Sequence, residues 1–307
     1  MQYDYGSDSV SMKTIKIKAP AKINLTLDIL RKRDDGYHEV NMVMQTIGLY
    51  DTICASVTDD GIGLSMDSDI VPSNENNLAY KAAKIFLDEH NIKDGIDIKI
   101  EKNIPVAAGL AGGSADAAGV IRAMDYLFDT KMTDEDFCAM GAEIGSDVPF
   151  SILGGTMLAK GRGEALTRLT NAPPAWCVIA KPPISVSTAW AYRAYDDAGN
   201  TSHPDTDAMI EAIEEMNIKK IASNLFNVLE IVTAQKHHII KEYEKILLDN
   251  GAINSIMSGS GPTVFAIMND KSDAESAAEA LRSSDKARGA EIFVVPFIKN
   301  EDLNEGM

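Results

Sequence analysis

Alternating apolar and polar positions predict three strands in the first hundred residues. The alternation covers residues 15–18, 25–29 and 96–100, with isoleucine or leucine at the apolar positions. A two-residue period places successive side chains on opposite faces of a strand. The stretch 77–87 instead has the apolar spacing of a helix, so a helix is expected between the second and third strands.

Helical spacing dominates the centre of the chain. Apolar residues recur along one helix face over residues 120–128, and they predict an amphipathic helix. A second helix is expected to begin at Thr133, which can form a capping box with Asp136, and to end at Gly145.

The remaining pattern mixes short strands with helices. Strands are predicted at 156–159, 177–180, 253–257, 263–268 and 291–295. Helices are predicted at 207–216, at 223–248 as two consecutive helices, and at 272–283. Strands separated by helices, without regular alternation, are typical of a two-domain α+β protein.

A glycine-rich segment directly precedes the central helix. It consists of small side chains and can approach a ligand closely with its backbone, and its residues are Pro105, Val106, Ala107, Ala108, Gly109, Leu110, Ala111, Gly112, Gly113 and Ser114. Ser114, with Asp116 just after it, lies where the helix is expected to begin. Unpaired N–H groups and the positive end of the helix dipole favour phosphate there. The segment matches neither a Walker A loop nor a dinucleotide fingerprint, and a tight turn before a buried helix explains it equally well.

Composition and charge limit the possible partners. The chain has 307 residues, 45% of them hydrophobic, and a formal net charge of −17, which fits two globular domains and disfavours a nucleic-acid partner. No long apolar run or signal peptide is present, so we expect a cytoplasmic protein without membrane contact. Residues 1–12 are polar and aperiodic, and they predict a flexible extension. Three scattered cysteines are expected to be free thiols: Cys54, Cys138 and Cys177.

Two charged residues in apolar segments are candidates for catalysis. Asp147 follows the helix that ends at Gly145 and could accept a proton, although an Asp before Pro149 could also simply cap a turn. Lys22 stands between Ala21 and Ile23. Its ammonium could keep Asp147 ionised and offset developing negative charge, or it could snorkel from a strand end.

Four segments in register carry a family resemblance. They are PAKINL at residues 20–25, the glycine loop, GSDVPF at 145–150 and SGSGPT at 258–263. In this order and spacing they resemble the GHMP small-molecule kinase superfamily. The segment DGYHEV at 35–40 narrows the resemblance to the 4-diphosphocytidyl-2-C-methyl-D-erythritol kinases, over residues 14–298.

The resemblance implies a fold and a reaction. The expected architecture is a two-domain GHMP kinase fold, with an S5-like α/β domain at 13–170, a ferredoxin-like α+β domain at 171–307, and the active site between them. The expected reaction is ATP-dependent phosphorylation of a cytidine diphosphate sugar alcohol in isoprenoid precursor synthesis. ATP as co-substrate, Mg²⁺, and a monomer or homodimer are implied as well.

The resemblance also assigns residues to roles. Asp147 and Lys22 match the catalytic pair, and Asn24, Tyr37, His38 and Tyr192 match substrate-binding positions. The glycine loop, Lys102, Asn77 and Leu78 match the ATP-binding positions, with Ser114 as a candidate Mg²⁺ contact.

Two other GHMP enzymes, homoserine kinase and diphosphomevalonate decarboxylase, are alternatives, and Tyr37 and His38 disfavour both. An aromatic ring and an imidazole can stack on a cytosine and bond to its edge, whereas the substrates of those two enzymes contain no cytosine. A nucleotide-binding sensor on the same fold is a third alternative, but it has no use for Lys22 and Asp147. Met44 falls where some relatives have Phe, which predicts a less aromatic stacking position there.

Overall fold

The computed structural model describes residues 13–68, 71–199 and 202–303. Within them, the larger sheet has seven strands: β1 (Thr14–Lys32), β2 (His38–Thr58), β3 (Ile62–Met66), β4 (Gly95–Glu101), β5 (Thr156–Gly161), β6 (Ala165–Arg168) and β8 (Phe226–Asn227). The second sheet is antiparallel and consists of β7 (Trp176–Lys181), β9 (Asn254–Met257), β10 (Val264–Met268) and β11 (Glu291–Pro296).

Helices pack on both sheets. They are α1 (Leu78–Glu89), α2 (Gly112–Phe128), α3 (Asp134–Ile144), α4 (Val148–Leu153), α5 (Thr188–Ala198), α6 (Thr206–Glu214), α7 (Ile218–Ser223), α8 (Val228–Lys236), α9 (Ile239–Asp249) and α10 (Lys271–Arg282). The order of strands in the larger sheet is β3-β4-β2-β1-β8, with β5 paired to β2 and β6 to β5. The smaller sheet has the order β11-β7-β10-β9. The predicted α+β architecture is confirmed.

The two longest strands form the centre of the larger sheet. β1 joins the first two predicted strands into one, with irregularities between Pro20 and Lys22 and between Asn24 and Thr26. β2 pairs with β1, β4 and β5, and residues 42–47 are all buried. Because both faces of this stretch are covered, it lacks the alternation that reveals a strand, and the sequence pattern missed β2.

Other expectations are confirmed, with shifts at the element ends. The capping box between Thr133 and Asp136 is present, and α3 ends at Gly145. α2 begins at Gly112, two residues earlier than predicted, because Ala111 takes up a left-handed conformation as its N-cap.

The predictions for the second half of the chain are wrong at several points. The pattern missed α5 and α7, and it placed the start of the following helix at Ser223, which is the last residue of α7. The segment before α8 is instead extended, and β8 pairs in parallel with β1, so this short strand ties the second half of the chain to the larger sheet.

The remaining expectations concern the cysteines, membrane-spanning segments and the boundaries of the domains. The three cysteines are free, as predicted. No helix among the described residues is long and apolar enough to cross a membrane. The predicted extension 1–12 lies outside the described residues, and the domain boundary at residue 170 stays a prediction.

Candidate active site

A cavity of about 900 Å³ opens between the larger sheet and helix α5. Every residue to which the family resemblance assigned a catalytic, substrate-binding or ATP-binding role lines it: Lys22, Asn24, Tyr37, His38, Asn77, Leu78, Lys102, Pro105, Val106, Ala107, Ala108, Gly109, Leu110, Ala111, Gly112, Gly113, Ser114, Asp147 and Tyr192. The larger sheet and its loops supply most of these side chains, and α5 with the SGSGP turn (residues 258–262) covers the other side. Residues far apart in sequence therefore share one volume.

A lysine and a carboxylate face each other at the middle of the cavity. Lys22 Nζ lies 3.8 Å from Asp147 Oδ2 and donates a 2.7 Å hydrogen bond to Asn24 Oδ1. Lys22 and Asn24 are buried, whereas the Asp147 side chain is 33% exposed. Asp147 stands at the N-cap of α4, but its side chain makes no capping hydrogen bond. The geometry therefore leaves this carboxylate free to meet a ligand, unlike a turn-capping Asp.

The glycine loop owes its path to left-handed residues. Ala107, Gly109 and Ala111 all have φ between +52° and +75°, a conformation that costs free energy for alanine. The loop is held from two sides, since Lys22 N donates to Leu110 O at 3.2 Å and Ser258 Oγ donates to Gly109 O at 3.1 Å. These tertiary contacts stabilise the loop shape.

The loop leads directly into the free N-terminus of α2. The first helical hydrogen bond runs from Ala115 N to Ala111 O, so the N–H groups of Gly112, Gly113 and Ser114 precede it and have no acceptor within the helix. No side chain caps this end. Three donors and the positive dipole end therefore face the cavity, which is the arrangement that binds phosphate.

Asn77 and Leu78 lie at the start of α1 beside this loop. Asn77 Oδ1 accepts from Ala79 N at 2.8 Å and its Nδ2 donates to Pro72 O at 2.8 Å. Both polar atoms of this side chain are therefore occupied in the protein. Leu78 contributes an apolar wall near Gly113.

Lys102 lies between two buried carboxylates. Its ammonium bonds to Asp51 and, at 2.7 Å, to Asp116. Burial lowers the pKa of Lys102, but the two carboxylates outweigh burial and raise it. Burial, together with the charge of Asp51, raises the pKa of Asp116 to about 7. The sequence pattern did not predict this cluster, because Asp51 comes from the strand β2 that the pattern missed.

Aromatic side chains line the opposite end of the cavity. The rings of His38 and Tyr192 lie 4.8 Å apart, and the Arg162 guanidinium lies 5.3 Å from the Tyr37 ring. Tyr37 is 56% exposed and presents its ring to solvent. Burial raises the pKa of Tyr192, helped by the charge of Asp147, so its phenol stays protonated at neutral pH. Sequence reasoning missed Arg162, since the turn that carries it gave no chemical signal.

Met44 does not contribute to this aromatic end. It is fully buried, packs in the hydrophobic core and pairs with Asn24 and Met157 across neighbouring strands. Met44 is absent from the cavity lining. The expectation of a stacking position there is wrong, because the side chain at this register points into the core.

Comparisons with known proteins agree with this geometry. The family model for the GHMP kinases N terminal domain matches residues 77–155, and the one for the GHMP kinases C terminal matches residues 209–287. The chain is 47% identical to the 4-diphosphocytidyl-2-C-methyl-D-erythritol kinase of Lachnoclostridium phytofermentans, over 95% of this chain and 100% of that protein. The chain belongs to the 4-diphosphocytidyl-2-C-methyl-D-erythritol kinase family.

A second relative from this kinase family and two solved structures are similar to the chain as well. The kinase of that name from Acetivibrio thermocellus is 46% identical, over 89% of this chain and 97% of that protein. A crystal structure of a 4-(cytidine 5'-diphospho)-2C-methyl-D-erythritol kinase superposes with a TM-score of 0.78 at 32% identity, covering 92% of this chain and 99% of that one. Homoserine kinase from Cytophaga hutchinsonii shares the fold, with a TM-score of 0.74 at 19% identity over 97% of this chain and 98% of that one.

Proposed function

We propose that the chain transfers the γ-phosphoryl group of ATP to the 2-hydroxyl of 4-diphosphocytidyl-2-C-methyl-D-erythritol, giving the 2-phosphate and ADP. This reaction belongs to the non-mevalonate route to isoprenoid precursors. The observation that carries the proposal is the position of the Lys22–Asp147 pair, between a phosphate-binding loop and an aromatic end in one cavity.

The proposed transfer needs a proton acceptor and charge stabilisation. The acceptor oxygen attacks the γ-phosphorus, the bond from that phosphorus to the bridging oxygen breaks, and ADP leaves. Asp147 Oδ2 takes the hydroxyl proton, for which its exposed, uncapped carboxylate is available. Lys22, held at Asn24, provides positive charge beside the developing alkoxide.

The glycine loop is the proposed ATP site. The free N–H groups at the start of α2 bind the phosphates, and Asn77, Leu78 and Lys102 lie beside the loop. The side chain of Asn77 caps α1 through Oδ1 and bonds to Pro72 O through Nδ2, so we assign it the shaping of the pocket wall rather than a bond to nucleotide.

We propose that Mg²⁺ binds together with ATP. Mg²⁺ in kinases binds through one or two protein oxygens plus phosphate oxygens. The residues fit that requirement, because Asp116 Oδ1 is buried without a hydrogen-bond partner and Ser114 precedes it by two residues in the same lining. When bound, the ion neutralises phosphate charge.

Tyr37, His38 and Tyr192 are the proposed cytosine site. Aromatic rings offer stacking faces, and an imidazole offers a hydrogen-bonding edge. These residues and Asp147 line the same cavity, so a ligand can place its base at the aromatic side chains and its reacting alcohol near Asp147.

An assay of ADP release tests the function. The purified chain receives ATP and Mg²⁺ with 4-diphosphocytidyl-2-C-methyl-D-erythritol, with homoserine, or with no acceptor. We expect ADP release that depends on the cytidine substrate, together with a product carrying one added phosphate. ADP release that is equal in all three mixtures would contradict the proposal.

We also propose that the enzyme works in the cytoplasm as a monomer or homodimer, with neither nucleic acid nor membrane as a partner. Its net charge of −17 opposes binding to the phosphates of nucleic acid. Light scattering after size-exclusion chromatography measures the mass, and any species larger than a dimer would contradict this view.

A further inference from the structure

A hydrogen-bonded chain of three side chains lies behind the aromatic end of the cavity. Asp196 on α5 accepts from Lys32 Nζ at 2.8 Å and lies 2.7 Å from His38 Nε2. Lys32 and His38 are register partners on the antiparallel strands β1 and β2. The single carboxylate of Asp196 on α5 therefore bonds to both members of this cross-strand pair. All three residues line the cavity.

The charge of Asp196 determines which ring nitrogen of His38 carries a proton. Burial opposes ionisation of Asp196, but the hydrogen bonds from Lys32 and His38 outweigh it and lower the pKa of this carboxyl. An ionised carboxylate only accepts hydrogen bonds. His38 Nε2 must therefore carry the hydrogen, and in the neutral ring Nδ1 is the unprotonated acceptor.

Nδ1 of this ring is available to a ligand. Among the residues that the structure describes, none forms a hydrogen bond with His38 Nδ1, whereas Nε2 is engaged by Asp196. The ring is also fixed in orientation, because its side chain is 9% exposed and packs 4.8 Å from the Tyr192 ring. A buried ring held at one nitrogen presents the other in a set direction.

We propose that Asp196 is a positioning residue that holds His38 in the Nε2–H tautomer, so that Nδ1 accepts a hydrogen bond from the exocyclic amine of cytosine and rejects uracil. Cytosine has a donor NH₂ at this position, whereas uracil has a carbonyl oxygen, which would place two acceptors face to face. This inference rests on the proposed function and assigns the base selectivity of that same site.

The first test reads the tautomer directly. ¹⁵N NMR of the full-length protein, at mildly alkaline pH and with ¹⁵N-labelled histidine, separates protonated from unprotonated ring nitrogens. We expect the His38 signals, assigned with a His38→Gln variant, to show Nε2–H and a bare Nδ1 in the wild type. Asp196→Ala should shift them toward a tautomer mixture. Two protonated nitrogens in the wild type, or identical wild-type and Asp196→Ala spectra, would overturn the proposal.

The second test measures selectivity between bases. Calorimetric titration with CDP and with UDP, both with ADP saturating the glycine loop, gives the ratio of their affinities. We expect the wild type to prefer CDP and Asp196→Ala to reduce that preference by roughly 5–20-fold. Asp196→Glu should restore part of it. The matched control is Asp197→Asn, an exposed neighbour outside the cavity lining, which should leave the ratio unchanged.

The outcomes separate this inference from the proposed function. A wild type without turnover of the cytidine substrate would contradict the function, while the tautomer and the CDP preference would still be measured. A wild type with full turnover but equal affinity for CDP and UDP would overturn the inference alone. Asp196→Asn, which keeps the side-chain shape, replaces Asp196→Ala if the latter does not fold. Asp196→Asn should also lower the preference for CDP over UDP, because the new amide can donate a hydrogen bond to His38 Nε2 as well as accept one. An unchanged preference in this variant would overturn the proposal.

Discussion

The carboxylate that we propose as proton acceptor is available because α4 begins without a side-chain cap. Asp147 stands at the N-cap, yet its oxygens face Lys22 rather than the helix N–H groups. Pro149 at the start of α4 has no N–H to satisfy, which reduces the need for a cap. The residue that would otherwise stabilise the helix is therefore free for its proposed role as proton acceptor.

Asp147→Asn should reduce kcat by about 10²–10⁴-fold. The amide has nearly the same shape but cannot take the hydroxyl proton, and a positioned base typically contributes that factor. Affinity for ATP should change little, because the glycine loop does not depend on this side chain. Steady-state kinetics and ATP titration of the same preparation measure both effects.

The matched control is Asp134→Asn, an exposed acid in the first turn of the neighbouring helix α3. It should keep wild-type kcat. If Asp147→Asn retained more than roughly a tenth of the wild-type rate, the assignment of Asp147 as base would be wrong.

Asp116→Asn should change how stability depends on pH. The pKa of Asp116 is raised to about 7 by burial and by Asp51, against an ordinary value of about 4. Between these values the folded protein holds a proton that the unfolded chain releases, so this group lowers stability as pH rises. The stability of the variant relative to wild type should therefore increase with pH across this window, by up to about 1.4 kcal/mol per pH unit.

Urea unfolding at a series of pH values measures that slope. The control is Asp129→Asn, whose side chain is 75% exposed and should leave the slope unchanged. Parallel stability curves for Asp116→Asn and wild type would show that Asp116 titrates as an ordinary carboxyl.

At this scale, the sequence nominated the residues proposed to react, but it did not indicate their partners. Lys22 and Asp147 stand in short motifs whose spacing carries the family resemblance, so they could be nominated directly. Asp196 bonds to His38 from 158 residues away, and Asp51 bonds to Lys102 from 51 residues away. Such pairs follow from the tertiary fold, and no local pattern contains them.

At the scale of elements, two loops from different halves of the chain brace each other. A Cβ on Gly109 would lie 2.2 Å from Ser258 O, and Gly109 has φ +75°. The close approach requires glycine at this point, and the left-handed backbone favours it. The glycine loop therefore keeps its shape only while the SGSGP turn supports it.

Gly109→Ala should lower Tm and raise KM for ATP. The added methyl forces the two loops apart, and a left-handed alanine is strained. The matched control is Gly113→Ala, where a Cβ would meet only Leu78 Cδ1 at an ordinary 3.7 Å. That variant should keep the wild-type Tm in a thermal melt. Equal melting temperatures for the two variants would contradict the bracing role of the loop contact.

Two of the strands that the sequence pattern missed, β2 and β8, have a common physical cause. Residues 42–47 in β2 are buried on both faces, so they show no alternation, and the pattern gave no strand. β8 has only two residues and exists through its pairing with β1. Strands stabilised by tertiary contacts on both faces leave little periodic signal, whereas α3, which has one exposed face, was predicted.

At the scale of the whole molecule, the strongly acidic chain must bind two polyanionic substrates. The cavity concentrates its cations at fixed points, with Lys22, Lys102 and Arg162 along its length. Backbone N–H groups at the start of α2 add positive potential without adding net charge. A net charge of −17 is therefore compatible with phosphate binding, because local fields in the cleft decide affinity.

Asn227 joins the two sheets and should be a point where stability and binding change together. Its Nδ2 donates 2.8 Å hydrogen bonds to Met257 O and Gly259 O, while its backbone pairs with β1. Asn227→Ala leaves both buried carbonyls without this donor and should lower the free energy of unfolding by about 1–3 kcal/mol. Because Gly259 lines the cavity, KM for both substrates should rise more than kcat falls.

Asn250→Ala, which removes a similar bond at an exposed helix end, is the control for urea unfolding and kinetics. Equal losses of stability in the two variants would show that Asn227 does not join the sheets energetically.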